Sequence, residues 1–324
     1  MSRSALVALS GGVDSSLALS LATDMYDDVR AAWVDTRGAG TPDEAGEVAA
    51  YLGVPLLVVD AGDDFRKEVV QWSRRVLSLG RTPNPCARCN ARVKLLSIHR
   101  MLRDSEDIIT GHYARMEAGV LKRGRDPSKD QSYFLSMVGI EILGRCVFPL
   151  GGMLKPEVRE KAEALGLPCR SSESMDLCFE TLSGGRPGAV KDVHGNLLGE
   201  HRGMEMFTIG QRKGLGAYGK RMYVLSLDPL EGTVTVGDRS DLLTTGCTVE
   251  EMNWLAAPAG YPFRALVQTR YRRRAVPAII DESGGCLHIE FPGAEEAVAP
   301  GQVCAVYQGS SLMGGGIVTS TRRC

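Results

Sequence analysis

The chain has 324 residues, of which 44% are hydrophobic and 24% are charged, and this length exceeds what one hydrophobic core usually supports. Two or three domains are therefore expected, and a short peptide, a fibre and a disordered tail are excluded. The 38 Lys and Arg residues balance 39 Asp and Glu residues, so binding of nucleic acid would require local basic patches rather than a global charge.

The first half of the chain alternates apolar runs with helical patterns. Such continuous apolar runs are typical of a parallel sheet that is covered on both faces. The predicted strands are 5–9, 29–34, 55–59 and 107–110, and the predicted helices are 17–21, 43–52, 65–79 and 92–102. The pattern therefore predicts a doubly wound α/β domain.

From about residue 191 the pattern changes to short alternating strands that are separated by glycines, at 221–225, 233–236, 265–268 and 302–307. This pattern predicts one or two small β-rich domains, the last of them barrel-like. The glycine-rich segment 184–188 is interpreted as a linker. We expect a catalytic domain over 1–186, a small central β-rich domain over 187–250 and a C-terminal β-barrel over 251–324.

The start of the chain carries no secretion signal, and no stretch approaches the roughly 18 apolar residues that a membrane-spanning helix needs. A cytoplasmic protein without a membrane partner is therefore expected. In that compartment the nine cysteines are interpreted as thiols, metal ligands or redox groups rather than as a disulfide framework.

A glycine-rich loop, SGGVDSS at residues 10–16, connects the first predicted strand to the first helix. Glycines let the backbone approach an anion, and the following helix directs its first amides at it. The loop has neither the Lys-Ser/Thr ending of a Walker A motif nor the spacing of a dinucleotide fingerprint. The functional interpretation is a phosphate site, and the alternative is a structural strand-to-helix turn.

Two thiols, Cys86 and Cys89, follow two prolines just before a basic predicted helix. A pair at this spacing can share a metal, form a redox couple, or supply one nucleophile and a neighbour that tunes it. A third thiol, Cys178, lies in a loop-like segment. Three thiolates suit an iron–sulfur cluster with one open iron, whereas zinc would need a fourth ligand that the sequence does not supply at suitable spacing.

Other cysteines are interpreted as packing residues. Cys304 lies in an apolar strand, and Cys146 precedes a Val-Phe pair. Cys169 is nine residues from Cys178 and has a redox role only as a minor alternative.

Eight motifs in register give the chain a resemblance that spans nearly its whole length. They are ALSGGVDSS (8–16), GRTPNP (80–85), TGHYAR (110–115), KDQSYFL (129–135), DLCF (176–179), TIGQRKGLG (208–216), RYR (270–272) and PGQ (300–302). With these motifs the chain resembles the bacterial tRNA-specific 2-thiouridylases of the MnmA/TrmU type, within the PP-loop ATP pyrophosphatase superfamily. The resemblance implies an adenine nucleotide α-hydrolase-like catalytic domain.

The activity that the resemblance implies is the ATP-dependent replacement of the C2 oxygen of the wobble uridine by sulfur. Adenylation makes chemical sense, because a carbonyl oxygen leaves poorly until it becomes part of a phosphate ester. The implied partners are tRNA and a sulfur donor, either sulfide or a persulfide carrier protein. The implied cofactors are ATP and Mg²⁺, with Asp14 near the metal.

Site residues follow from the resemblance motif by motif. The implied ATP-binding residues are Ala8, Leu9, Ser10, Gly11, Gly12, Val13, Asp14, Ser15, Val34 and Gly111, and the implied sulfur-handling thiols are Cys89 and Cys178. The residues implied to contact the target base or other parts of tRNA are Asn84, Pro85, Cys86, His112, Lys129, Asp130, Gln131, Arg270, Tyr271 and Gln302. A basic stripe of Arg264, Arg270, Arg272, Arg273 and Arg274 is interpreted as a phosphate-binding patch.

Cys86 departs from the pattern of many family members, which carry Asp at this position. The substitution removes a carboxylate and supplies a third thiol. We therefore favour an oxygen-sensitive 4Fe-4S cluster held by Cys86, Cys89 and Cys178, with hydrosulfide at the open iron. The alternative is a persulfide on Cys178 that is resolved by a disulfide with Cys89, in which Cys86 has no role.

Loops after the second strand and after Cys178 are shorter than is usual in the family, so the tRNA set and the sulfur donor stay open. Two further functions remain as alternatives. One is a PP-loop sulfurtransferase or amidotransferase that acts on another acceptor, and the other is a non-catalytic RNA-binding or sulfur-carrier protein.

Overall fold

The computed structural model describes residues 3–38, 40, 42–169, 186–216 and 219–324. They form two compact units that interleave along the chain. The first unit contains residues up to 69, 86–169 and 310–313, and the second contains 70–85, 186–309 and 314–324. None of the helices in these ranges has the length and apolar character needed to cross a bilayer.

A five-stranded parallel sheet with the order β3-β2-β1-β4-β7 forms the centre of the first unit. Its strands are β1 (Ser4–Ala8), β2 (Asp28–Asp35), β3 (Leu56–Asp60), β4 (Asp107–Thr110) and β7 (Cys146–Val147). The predicted doubly wound sheet is confirmed. The chain reverses its winding direction between β1 and β4, and ligands of such sheets bind beyond the carboxyl ends of the strands at this point.

A hairpin of β5 (Ala114–Glu117) and β6 (Val120–Arg123) also belongs to the first unit. Residues 310–313 join it, because Ser311 pairs with Lys122 and Arg123 N–H donates to the Ser310 carbonyl at 2.9 Å. The sequence pattern did not predict this hairpin.

The helices are α1 (Val13–Met25), α2 (Asp43–Tyr51), α3 (Gly62–Phe65), α4 (Trp72–Ser78), α5 (Pro85–Cys89), α6 (Leu95–Arg100), α7 (Ser132–Leu135), α8 (Ile140–Leu143) and α9 (Lys155–Ala164). Two π-helical stretches, Arg66–Gln71 and Asn90–Lys94, connect α3 to α4 and α5 to α6. Helix α1 is buried on both sides: Ala18 and Leu19 pack in one apolar cluster with the sheet, and Leu17 packs in another with α9. This burial holds the start of α1 against the sheet edge.

The second unit contains a four-stranded sheet with the order β10-β11-β8-β9. Its strands are β8 (Gly188–Lys191), β9 (Leu197–His201), β10 (Tyr223–Asp228) and β11 (Thr233–Gly237), and short 3₁₀ turns span Met204–Met206 and Arg239–Leu242. Gly188, which the sequence placed in a linker, begins β8 instead, because Gly188–Lys191 pairs with β9. Of the rest of that segment, Arg186 and Pro187 precede β8, and residues 184–185 lie outside the described residues.

The six remaining strands close into a barrel with the order β12-β15-β14-β13-β16-β17, in which β17 pairs back onto β12. They are β12 (Leu243–Trp254), β13 (Phe263–Gln268), β14 (Val276–Ser283), β15 (Cys286–Glu296), β16 (Val303–Gln308) and β17 (Ser311–Arg323). Alternate residues such as Ile280, Ile289 and Val306 are buried inside. The expected C-terminal β-barrel is confirmed, and closure leaves no exposed sheet edge between β12 and β17.

Candidate active site

The turn between β1 and α1 has a backbone that only glycine allows. Gly11 has a φ of +83°, and a β-carbon there would lie 2.6 Å from Glu44 Cβ. Ser15 Oγ donates to the Gly12 carbonyl at 3.0 Å and accepts the Ser10 N–H at 3.1 Å. These bonds fix the loop from the inside, so the predicted phosphate loop is a rigid turn.

The outer side of this turn is open. Gly12 is the N-cap of α1 and has no side chain that could cap the first amides of the helix. A β-carbon on Gly12 would meet only Ser10 Oγ, at 3.7 Å, within 4 Å. An anion can therefore approach the backbone and the positive end of the helix dipole here.

The end of β4 approaches the same turn closely. A β-carbon built on Gly111 would lie 2.9 Å from the carbonyl carbon of Asp14 and 3.0 Å from the amide nitrogen of Ser15. Val34 lies near the carboxyl end of β2, the other neighbour of β1. The structure thus places the implied ATP-binding residues from β1, β2 and β4 at one edge of the sheet.

The Asp14 carboxylate is held by two side chains from distant parts of the chain. Lys155 Nζ lies 2.7 Å from Oδ1 and 2.8 Å from Oδ2, and the Tyr113 hydroxyl donates to Oδ1 at 2.7 Å. The Lys155 ammonium also lies 5.7 Å from the centre of the Tyr113 ring. The Lys155 side chain is only 6% exposed, whereas that of Asp14 is 31% exposed. The lysine end of the charge pair is therefore buried, and the carboxylate end is partly exposed.

Both partners of Asp14 are supported by one loop, residues 126–131. The Asp126 carboxylate accepts the backbone N–H of Lys155 at 3.0 Å, and the Gln131 amide oxygen accepts the backbone N–H of Tyr113 at 3.0 Å. Burial would raise the pKa of Asp126, but the hydrogen bonds from Lys155 and Ser128 outweigh it and lower the pKa. Asp126 is thus ionised at neutral pH and a strong acceptor.

The sequence pattern predicts that the thiol pair lies just before a helix. In the structure the pair lies within a helix, α5. Helix α5 begins at Pro85, which lacks an N–H and so fits the first helical position. Cys86 and Cys89 are three residues apart and share one side of α5. The Cys86 residue is exposed, and the Cys89 residue is buried. The two sulfurs therefore lie on a continuous helical segment that extends to α6.

Lys94, on this segment, exerts its charge on His112, which follows Gly111 in the chain. Burial, and after it the positive charge of Lys94, lowers the pKa of His112 to about 4. Thr110 Oγ1 and His112 Nδ1 are 2.6 Å apart, and His112 follows Gly111 directly. The imidazole is therefore neutral at physiological pH. Lys94 therefore acts electrostatically on His112, the neighbour of Gly111, which lies against the backbone of Asp14.

Cys178 lies outside the described residues, so the structure does not place the third predicted thiol. Within the described part of the chain, no group of three or more His, Cys, Asp or Glu side chains is arranged to hold a metal ion. The structure therefore places Cys86, Cys89 and the phosphate loop in the same unit, and the trio of thiols and the magnesium role of Asp14 stay predictions.

The residues implied to contact tRNA fall into two groups. In the first unit, the Asp130 carboxylate accepts from the Arg123 guanidinium at 2.7 Å and from the backbone of Gly124, so it has a structural role as well. Lys129 is partly exposed.

In the second unit, the Gln302 amide donates to the carbonyls of Thr82 and Pro83 at 3.1 and 3.0 Å, and so supports the segment that leads to the buried Asn84. Pro85 follows Asn84 directly at the start of α5.

The arginine stripe lies on β13 and the loop that follows it. Arg264, Arg272 and Arg274 are exposed, and Arg270 and Tyr271 are partly exposed. The Arg273 guanidinium contacts Glu296 at 3.2 Å and Glu295 at 3.6 Å, so part of its charge is neutralised. The stripe is thus a surface with several accessible cations.

Buried cysteines elsewhere fit the packing interpretation. Cys146 is 3% exposed and Cys304 is fully buried. Burial raises the pKa of Cys146 and Cys247 to about 12, and burial, followed by the charge of Cys247, raises the pKa of Cys304 well above its usual value. Burial and then the charge of Asp14 raise the pKa of Cys169, which packs against two apolar clusters. These thiols are poor nucleophiles at neutral pH.

Sequence reasoning missed Lys155 and Tyr113 as site residues. A signal for Lys155 exists: it is the first residue of α9, where a cation opposes the helix dipole. A lysine at such a position implies a nearby anion, but the sequence alone does not identify Asp14 as that anion.

Comparison with known proteins shows that three protein-family models match the chain. The tRNA methyl transferase HUP domain matches residues 3–181, the tRNA methyl transferase PRC-barrel domain matches 179–238, and the aminomethyltransferase beta-barrel domain matches 244–318. The first of these covers the sheet, the phosphate loop and the thiol helix.

Relatives named tRNA-specific 2-thiouridylase MnmA match the chain along nearly all of its length. The protein from Thermus thermophilus is 40% identical, over 97% of this chain and 94% of the relative. Those from Acidithiobacillus ferrooxidans and Synechococcus sp. are 38% and 37% identical, over 98% of this chain and 99% and 98% of the relatives. The three-part match and the full-length identity agree with the fold and the phosphate loop, and the chain therefore belongs to the tRNA-specific 2-thiouridylases, a family of PP-loop enzymes that transfer sulfur to tRNA.

Proposed function

We propose that the chain replaces the C2 oxygen of the wobble uridine of tRNA by sulfur, with ATP as the activating substrate and an adenylated tRNA as the intermediate. The observation that supports this most directly is that the first unit contains both the phosphate loop and the helix with Cys86 and Cys89. Lys94, on the helical segment that follows Cys89, is near enough to His112 for its charge to lower the pKa of that imidazole. We therefore assign activation and sulfur transfer to one site.

The proposed reaction has two displacements. In the first, the uridine O2 attacks the α-phosphorus of ATP, the bond from that phosphorus to the bridging oxygen breaks, and pyrophosphate leaves. In the second, sulfur attacks C2, the C2–O bond breaks, and AMP leaves with the former uridine oxygen. The turn at Gly11 and Gly12 offers backbone amides and a helix N-terminus to the phosphates, which stabilise developing negative charge.

Asp14 has the oxygen donors that Mg²⁺ prefers, it is the residue after Val13 in the phosphate loop, and its side chain is 31% exposed. Mg²⁺ bound there would offset phosphate charge. Both carboxylate oxygens already accept hydrogen bonds from Lys155, so a metal ion must compete with an internal cation.

For the sulfur we propose a 4Fe-4S cluster held by Cys86, Cys89 and Cys178. Cys86 and Cys89 fit such a site, because they share one side of α5, and the exposure of Cys86 leaves room beside it. When bound, the cluster supplies an open iron for hydrosulfide. The alternative, a persulfide on Cys178, transfers its outer sulfur, leaves a Cys89–Cys178 disulfide and needs a reductant in each cycle.

We assign tRNA binding to the residues that the resemblance implies. They are Asn84, Pro85, His112, Lys129, Asp130, Gln131, Arg270, Tyr271 and Gln302, with the exposed arginines of the stripe on β13 and its following loop. Neutral His112 suits a hydrogen bond rather than an ion pair with phosphate. The stripe suits the sugar-phosphate backbone, whose binding is electrostatic and weakens with salt.

The proposed function is tested with anaerobically purified full-length protein, ATP, Mg²⁺, sulfide and an unmodified tRNA transcript. We expect 2-thiouridine in the digested tRNA by mass spectrometry, and one AMP and one pyrophosphate for each thiolated nucleoside. Nucleotide cleavage should require tRNA, because uridine is the acceptor. Absence of the thiolated nucleoside would contradict the proposal. Pyrophosphate release without tRNA would favour an ATP pyrophosphatase with another acceptor.

The cluster is tested by replacing Cys86 with serine. We expect the wild-type protein to be brown with about four irons per chain, and Cys86→Ser to lose the colour, the iron and thiolation, because three thiolates are needed. The matched control is Cys324→Ser, which also alters an exposed cysteine and should keep its iron. A colourless, active wild-type enzyme that forms one disulfide per turnover would establish the persulfide route instead.

A further inference from the structure

Asp14 is neutralised by the chain itself, although its carboxylate lies at the turn where phosphates are proposed to bind. Lys155 contacts both oxygens at 2.7 and 2.8 Å, and Tyr113 donates to one of them at 2.7 Å. We propose that Lys155 is a positioning residue that acts as the internal counter-ion of Asp14 before nucleotide binds and exchanges to a phosphate of ATP when Mg²⁺ takes the carboxylate. This inference rests on the proposed function only for the identity of the nucleotide.

The burial of Lys155 favours this exchange. Its side chain is 6% exposed, so its ammonium has little access to water. A buried cation that loses its anion is strongly unfavourable. If Mg²⁺ takes the Asp14 carboxylate, Lys155 loses its ion pair with both oxygens, and the phosphates that arrive at the same turn offer its ammonium another anion.

The backbone of Lys155 cannot easily follow Asp14, because two features of its surroundings fix it. Its N–H donates to the Asp126 carboxylate at 3.0 Å, and Pro156 occupies the next position at the start of α9. Tyr113 is fixed in the same way by Gln131. The loop 126–131 thus positions both groups, so that only the end of the lysine side chain has to move during the exchange.

This arrangement has opposite consequences for two ligands. Without nucleotide, the lysine competes with a metal ion for Asp14, so its removal should strengthen metal binding. With nucleotide, the lysine supplies a charge-assisted hydrogen bond to phosphate, so its removal should weaken ATP binding. A side chain that only stabilises the fold would not change the two affinities in opposite directions.

The test uses the full-length protein and the variant Lys155→Met, which keeps the length and removes the charge. Binding of Mn²⁺ without nucleotide is measured from the electron paramagnetic resonance signal of the free ion, and ATP binding is measured by calorimetry with and without Mg²⁺. We expect Mn²⁺ to bind about fivefold more tightly and ATP to bind about tenfold more weakly in Lys155→Met than in the wild-type protein.

Two variants serve as comparisons. Lys161→Met removes an exposed lysine from the same helix and should leave both affinities unchanged. Tyr113→Phe removes a hydrogen bond but keeps the charge of Lys155, so its Mn²⁺ affinity should stay within about twofold of the wild-type value. If Lys155→Met does not fold, Lys155→Gln carries the same expectation.

The outcomes separate this inference from the proposed function. If the wild-type protein does not bind ATP at all, the proposed function fails. If it binds ATP but Lys155→Met behaves like Lys161→Met, or loses affinity for both ligands, the counter-ion role of Lys155 is wrong. If Tyr113→Phe changes Mn²⁺ binding as much as Lys155→Met does, the hydrogen bond rather than the charge controls Asp14, and the inference is again overturned.

Discussion

Replacing Gly111 by alanine is expected to weaken ATP binding about 10- to 100-fold and to reduce thiolation with it. The added methyl group would lie 2.9 Å from the carbonyl carbon of Asp14 and 3.0 Å from its oxygen. These are backbone atoms of the first turn of α1, which cannot rotate away as a side chain could. The first turn of α1 must therefore shift away from β4, and the amides and the carboxylate that are proposed to bind the nucleotide shift with it.

A shift of α1 is costly because the helix is buried on both sides, by the sheet and by α9. Overpacking of such a site typically costs 1–3 kcal/mol, and we expect both the stability of the first unit and ATP binding to decrease. Calorimetric titration with ATP measures the binding, and circular dichroism at the assay temperature establishes that the variant is folded.

The control for Gly111→Ala is Gly46→Ala. Gly46 lies within α2, and a β-carbon there would meet no heavy atom within 4 Å. Alanine should stabilise this helix by up to about 1 kcal/mol without changing ATP affinity. Equal ATP affinities for the two variants would show that the close approach of β4 to α1 does not shape the nucleotide site.

Much of the first unit could be predicted from local patterns. The strands of a parallel sheet that is covered on both faces are almost entirely apolar, so the runs that became β1 to β4 are visible in the sequence. The phosphate loop is equally local, because its glycines and serines bond to one another within six residues.

The features that could not be predicted depend on contacts between distant residues. Strand β7 has only two residues, too few for any periodicity, and pairs with β4 by its position alone. Lys155 is 141 residues from Asp14, and no spacing rule connects them. The sequence also placed the thiols before a helix, because the 92–102 pattern marked only the amphipathic part of a segment that begins at Pro85.

Replacing Arg30 by methionine is expected to lower the free energy of unfolding of the first unit by about 3–5 kcal/mol at pH 7. The Arg30 guanidinium donates two hydrogen bonds to the Glu106 carboxylate, at 3.0 and 2.6 Å, and a third to the Met101 carbonyl at 3.2 Å. The Glu106 side chain is fully buried. Methionine fills much of the same volume but leaves this carboxylate without its cation.

The effect should depend on pH. Burial alone would raise the pKa of Glu106, but the hydrogen bonds from Arg30 and from the Arg103 N–H outweigh it and hold the pKa below its usual range. In the wild-type protein the stabilisation is therefore complete above pH 4.5 and is lost as the pH falls below that value. In the variant, burial without Arg30 raises the pKa, so protonation relieves the penalty as the pH falls. The difference between the two proteins should be largest at pH 7 and smaller at pH 5.

Hydrogen exchange followed by mass spectrometry measures this difference in the peptides that contain β2 and β4, without assuming that the two units unfold together. Arg66→Met is the matched control, because Arg66 pairs with Asp63 on the surface at 2.9 Å and both side chains are more than half exposed. Its side-chain loss should cost less than about 1 kcal/mol. The double variant Arg30→Met/Glu106→Leu should recover most of the lost stability, because it removes the uncompensated charge. If the double variant were as unstable as Arg30→Met, the packing of the arginine side chain, rather than the buried carboxylate, would account for the loss.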